Sequence, residues 1–121
     1  MKNAAGWKES TKLSLSEFDG LVTMVNEDLR RLLVAKRESY GPFNLAKFGD
    51  DGVLIRTSDK LERLIHMYQN DMEMTVVKES ALDAWRDIAG YAILVLVTAR
   101  LGQREHAETE LKITTESKPT Y

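Results

Sequence analysis

The sequence predicts an all-α fold: a bundle of helices whose core is completed by oligomerisation. Apolar residues recur at helical spacing in three separate stretches. No regular alternation of strand and helix signals marks an α/β sheet. A twelve-residue run, Ile88 to Ala99, is apolar at nearly every position. A bilayer span needs about 20 such residues, so the run reads as a helix buried on all sides. Two other helices offer too little surface to enclose it, and a homo-oligomer, dimer or tetramer, is expected to cover the rest.

The first long helix is announced by Ser14 and Glu17, whose spacing fits a capping box. Phe18, Leu21, Val22, Val25, Leu29, Leu32 and Leu33 then form one apolar face, and Gly41-Pro42 ends the helix after about Ser39. Residues 40 to 58 hold three glycines and read as an irregular site loop, with a short helix at Asn44 to Phe48. Thr57 or Ser58 is placed to cap a second helix carrying Leu61, Leu64, Ile65 and Tyr68 inward. Ser80 and Asp83 repeat the capping spacing and open a third helix to about Leu101, where Gly102 is a natural stop. The polar remainder has a weakly strand-like centre at Leu111 to Thr114 and reads as a short helix, an oligomer arm or a tail.

At 121 residues the chain is expected to be one domain, with core helices over 14–101 and a polar segment over 102–121. Its 17 Lys and Arg against 19 Asp and Glu give a net charge of -2, which argues against nucleic-acid binding. The absence of cysteine excludes disulfides, iron–sulfur clusters and thiolate zinc sites, and fits the cytoplasm. The opening MKNAAGWKESTK lacks the apolar run of a signal peptide, and no membrane association is expected.

Chemistry is expected from the acids. Asp59 and Glu62 stand three apart, and Glu79, Asp83 and Asp87 follow at intervals of four, which sets each group on one side of its helix. Like charges at that spacing cost about 0.2–0.5 kcal/mol per pair. A second acidic helix alongside adds repulsion of about 4 kcal/mol for a pair at about 4 Å and an effective dielectric near 20. A cation relieves it, and oxygen-only ligands suit Mg²⁺, with Mn²⁺ possible. Arg56, Lys60 and Arg63 surround the first pair, and Lys36 and Lys47 flank the loop. The plainer alternative makes these acids caps and solvated ion pairs. It leaves unexplained why Asp87 enters an apolar helix. His66 and His106 are isolated and read as surface or packing residues, as Trp85 and Tyr91 read as packing.

The pieces KRESYG at 36–41, GDDGVLIRTSDKLERL at 49–64 and ESALDAWRDIAGYAILVL at 79–96 resemble the nucleotide-modification-associated domain 1 family, which is related to MazG-like all-α pyrophosphohydrolases. The pieces lie in order across residues 36–96, about half the chain, and make up about a third of it. The likeness selects Lys36, Tyr40, Gly41, Arg56, Asp59, Lys60, Arg63, Glu79, Asp83, Asp87 and Tyr91. It implies a MazG-like bundle and Mg²⁺-dependent hydrolysis of a (deoxy)nucleoside triphosphate to monophosphate and pyrophosphate. Asp59, Glu62, Glu79, Asp83 and Asp87 would then hold metal, with Glu62 or Glu79 as the catalytic base. Arg56, Lys60 and Arg63 would neutralise phosphate charge, and Lys36, Tyr40, Phe43 and Asn44 would contact the nucleotide. The superfamily pairs its acids as E-x-x-E and E-x-x-D; here the second group is Glu79-x-x-x-Asp83. A nucleotide-sequestering module and a structural helical interaction protein are the rival functions.

Overall fold

A computed structural model describes residues 6–42, 47, 49–70 and 74–116. The fold is all-α: among these residues every element is a helix. A single turn, α1 (Trp7–Ser10), leads into α2 (Leu15–Tyr40), followed by α3 (Gly49–Gln69) and α4 (Met74–Glu116).

The start and end of α2 follow from its sequence. The Ser14 side chain accepts a hydrogen bond from the Glu17 amide, and the Ser14 amide donates to the Glu17 carboxylate, both at 3.1 Å. Those reciprocal bonds satisfy two amides that a helix start leaves open, and they lower the Glu17 pKa. At the other end Gly41 takes φ 81°, a conformation that favours glycine, while its amide donates to the Arg37 carbonyl at 2.8 Å.

Two boundaries differ from the sequence expectation. α3 begins at Gly49, not at Thr57 or Ser58. Asp50 and Asp51 in its first turn complement the amide end of the helix. Thr57 lies inside, its hydroxyl donating to the Val53 carbonyl at 2.8 Å, the way a helical threonine satisfies itself. The expected short helix at Asn44 to Phe48 lies largely outside the described residues.

The second difference is larger. Ser80 and Asp83 do not cap a helix, and Gly102 does not end one, because α4 runs unbroken for 43 residues. Helix propagation adds a hydrogen bond for each residue fixed, so a serine and an acid inside a helix do not stop it. An interior glycine costs only about 1 kcal/mol. Beyond Gly102 the chain is rich in good helix formers, Glu, Ala, Leu and Lys, and His106 and Glu110 meet at 3.0 Å across one turn. Residues 102–116 are therefore helix, and the strand-like centre at Leu111 to Thr114 is overruled.

The core lies between α3 and α4. Leu64 and Met67 are buried against Ala81 and Ala84, with Tyr68 and Ile88 packed at the margin. The Tyr68 hydroxyl accepts a bond from the Trp85 indole N–H at 3.3 Å. Small residues on α4 let the two helices approach, and α2 uses the same device at Gly90, where an added Cβ would stand 3.2 Å from Leu33 Cδ2. The apolar run is not enclosed as expected. Gly90 is buried and Leu94 and Val95 are half-buried, but Leu96 and Val97 are exposed.

Gly90→Leu should force α2 away from α4 and destabilise the fold by about 1–3 kcal/mol, as overpacking does. Urea unfolding followed by far-UV circular dichroism reads this directly. An unchanged midpoint would show that α2 does not depend on this seat.

Candidate functional site

Where α2, the start of α3 and the middle of α4 meet, they leave an open groove of about 550 Å³. Its walls are apolar, carrying Leu29, Leu32 and Leu33 from α2 and Leu94 and Val95 from α4. Positive groups crowd one end: Lys36 and Arg37 on α2, Arg56 on α3 and Arg86 on α4, with Tyr40 and Tyr91 beside them. Helical periodicity accounts for the arrangement, since Leu29, Leu33, Lys36 and Tyr40 recur three or four apart and so share one side of α2.

Asp87 is the polar anchor of this end. Its two carboxylate oxygens accept from the ammonium groups of Lys36 and Lys60, each at 2.9 Å. Partial burial alone would push the carboxyl pKa up. The two lysines outweigh that and hold it below the usual carboxylate range. Thus one carboxylate joins three helices, and a charge that looks misplaced in an apolar helix is neutralised by two basic residues distant in sequence.

The residues singled out in the sequence divide into two sets. Lys36, Tyr40, Arg56 and Asp87 line the groove, and Lys60 reaches it through Asp87. Asp59, Glu62, Arg63, Glu79 and Asp83 are exposed and are not among its lining residues. Glu62 follows Lys60 by two positions, about 200° round the helix, and so lies on a different side of α3. Asp83 bonds Arg86 at 2.8 Å. Asn44 and Phe43 lie outside the described residues.

Among the described residues no three His, Asp or Glu side chains stand close enough to hold a metal ion. Both oxygens of Asp87 are engaged by ammonium groups. The repulsive acidic row expected from the four-residue spacing is replaced at Asp87 by attraction, which reverses the expected sign of neutralising it.

Arg37, Arg86 and Asp50 also line the groove and were not selected from the sequence. Arg37 was legible in principle, since it adjoins Lys36 one turn before Gly41. Arg56 has a distinct position: it is half-buried, faces the groove, and has no ion-pair partner among the described residues. Leaving a partly desolvated cation without a counter-charge is costly, so this point of the groove suits an incoming anion.

Comparison of the chain with protein-family models, with curated proteins and with solved structures yields no match. Among the described residues no helix is long and apolar enough to cross a membrane.

Asp87→Asn should lower stability by about 1–3 kcal/mol at neutral pH, because it removes the negative charge between two ammonium groups and turns one of the two accepting oxygens into a donor. The folded-state pKa of Asp87 lies below its ordinary 3.8. Its contribution is therefore full above that value and is lost as the pH falls through the folded one. Melting curves of wild type and Asp87→Asn should differ at pH 7 and converge in acid. A variant as stable as wild type at pH 7 would remove Asp87 from its anchoring role.

Proposed function

We propose that the chain is a nucleotide-binding protein and that the groove between α2, α3 and α4 is its site. The observation that carries this reading is the half-buried guanidinium of Arg56, without an ion-pair partner among the described residues, facing a groove with apolar walls. Nucleotides combine a polyanion with a flat, largely apolar base. The groove combines a basic end with walls that accept such a body, at a volume in the range used for small ligands. Arg56 and Lys36 bind phosphate oxygens through charge-assisted hydrogen bonds, and Arg37 and Arg86 add positive field at the same end. Tyr40 and Tyr91 offer rings against which a base or sugar packs.

The resemblance to the nucleotide-modification-associated domain 1 family points to the same ligand class and to a (deoxy)nucleoside triphosphate in particular. Mg²⁺ enters in this reading as the companion of the phosphates, which supply ligands to it together with water. Asp59, Glu62, Glu79 and Asp83 lie outside the groove, so binding is what the geometry supports best.

The test is thermal denaturation with a panel of ribo- and deoxyribonucleoside triphosphates, with and without Mg²⁺. A ligand at about 100 times its dissociation constant stabilises by about 2.7 kcal/mol. Arg56→Ala should weaken binding about 10- to 100-fold, the equivalent of one hydrogen bond between charged groups, while the melting temperature without ligand stays near wild type. Release of monophosphate and pyrophosphate, measured on the same samples, separates hydrolysis from holding. No stabilisation by any nucleotide would overturn the reading, and equal affinity in Arg56→Ala would displace the site.

A further inference from the structure

The apolar stripe on α2 continues past the groove. Phe18, Val22, Val25, Leu29 and Leu32 recur at alternating intervals of four and three, the spacing of a helix-packing seam. Leu29 is buried and Leu32 half-buried, yet Phe18 is 53% and Val25 57% exposed. α4 carries a matching line, Gly90, Leu94, Val97 and Leu101. Gly90 is buried and Leu94 half-buried, while Val97 is 49% and Leu101 47% exposed. Each seam is covered at one end and bare at the other, so the two do not close on each other within one chain.

Charge distinguishes the bare halves. Residues 13–29 hold Glu17, Asp19, Glu27 and Asp28 and no Lys or Arg, whereas residues 88–104 hold Arg100 and Arg104 and no acid. Asp19, Asp28, Arg100 and Arg104 are all exposed. Pairing α2 with α2 would set acid against acid, and pairing α4 with α4 would set arginine against arginine. Only α2 against α4 joins opposite signs.

We propose that the bare halves form a homodimer interface in which the acidic α2 stripe of each copy seats on the arginine-flanked α4 stripe of its partner. A two-fold axis makes this contact twice. Glu27 is not needed for pairing, since it already bonds Arg30 at 2.7 Å and Arg31 at 3.1 Å. This inference stands on the bare ends of the two seams, Phe18, Val22 and Val25 on α2 and Val97 and Leu101 on α4, which do not line the groove.

Mass in solution tests it, by light scattering and sedimentation of the full chain at micromolar concentration. The wild type should be a dimer. A chain carrying Asp19→Lys and Asp28→Lys, and another carrying Arg100→Glu and Arg104→Glu, should each dimerise at least tenfold more weakly. Mixed in equal amounts they should form a heterodimer, because both contacts then join opposite charges. All four side chains are exposed, so helicity by circular dichroism should be retained. Leu101→Gln, which removes the apolar contact without changing charge, should also weaken the dimer. A monomeric wild type overturns the proposal whatever the variants do and leaves the faces to a different partner. Undiminished dimers in the charge variants, or a mixture that stays monomeric, overturn it as well.

Discussion

Asp87 stands where α2, α3 and α4 converge, and much of the arrangement depends on how its charge is met. A carboxylate in this helix would resist burial if left alone. With Lys36 on one side and Lys60 on the other, it becomes the point to which two further helices are tied. The ties have direction, which apolar packing lacks. Leu33 against Gly90 sets how closely α2 approaches α4, and the pair Lys36–Asp87, one turn away along both helices, sets where along its length it does so. The groove follows from that registration, since the same turns of α2 and α4 supply its walls.

The hydrophobic contribution is concentrated elsewhere. Leu64, Met67, Ala81 and Ala84 hold α3 to α4 as a hairpin of helices, and α2 joins this pair through fewer buried groups, Leu29 chief among them. The buried apolar packing and the polar junction thus occupy successive stretches of α4. Packing at the α3–α4 hairpin secures the fold, while the polar junction shapes the surface on which a ligand would rest. A basic end above apolar walls is a chemically mixed environment, and such mixtures are commonly found where ligands are held and not where cores are sealed.

The helical class and the limits of α2 were legible because each rests on local chemistry: a capping box at Ser14 and Glu17, and a glycine able to take positive φ at Gly41. The beginnings of α3 and α4 were not. Glycines at 49 and 52 resemble loop residues, and Ser80 with Asp83 resembles a cap, when only the sequence spacing is considered. Asp50 and Asp51 suit the first turn of a helix that starts at Gly49, and a helix already running past Ser80 needs no cap there, so the same residues fit either boundary. In the site, Lys36, Tyr40, Arg56, Lys60 and Asp87 were within reach of the sequence. Their partners were not, because Lys36 and Asp87 are 51 positions apart. Periodicity told which acids share a helix side; it did not tell that lysines, and not other acids, would face Asp87.

The length of α4 has a mechanical consequence. Its 43 residues extend about 65 Å, roughly twice the reach of α3. The hairpin grips only the first part, so the remainder is a stiff rod clamped at one end. A rotation of a few degrees about the clamp would sweep the far tip through several ångströms. Within one chain, a small turn around Gly90 and Asp87 would therefore be magnified at the far end of α4.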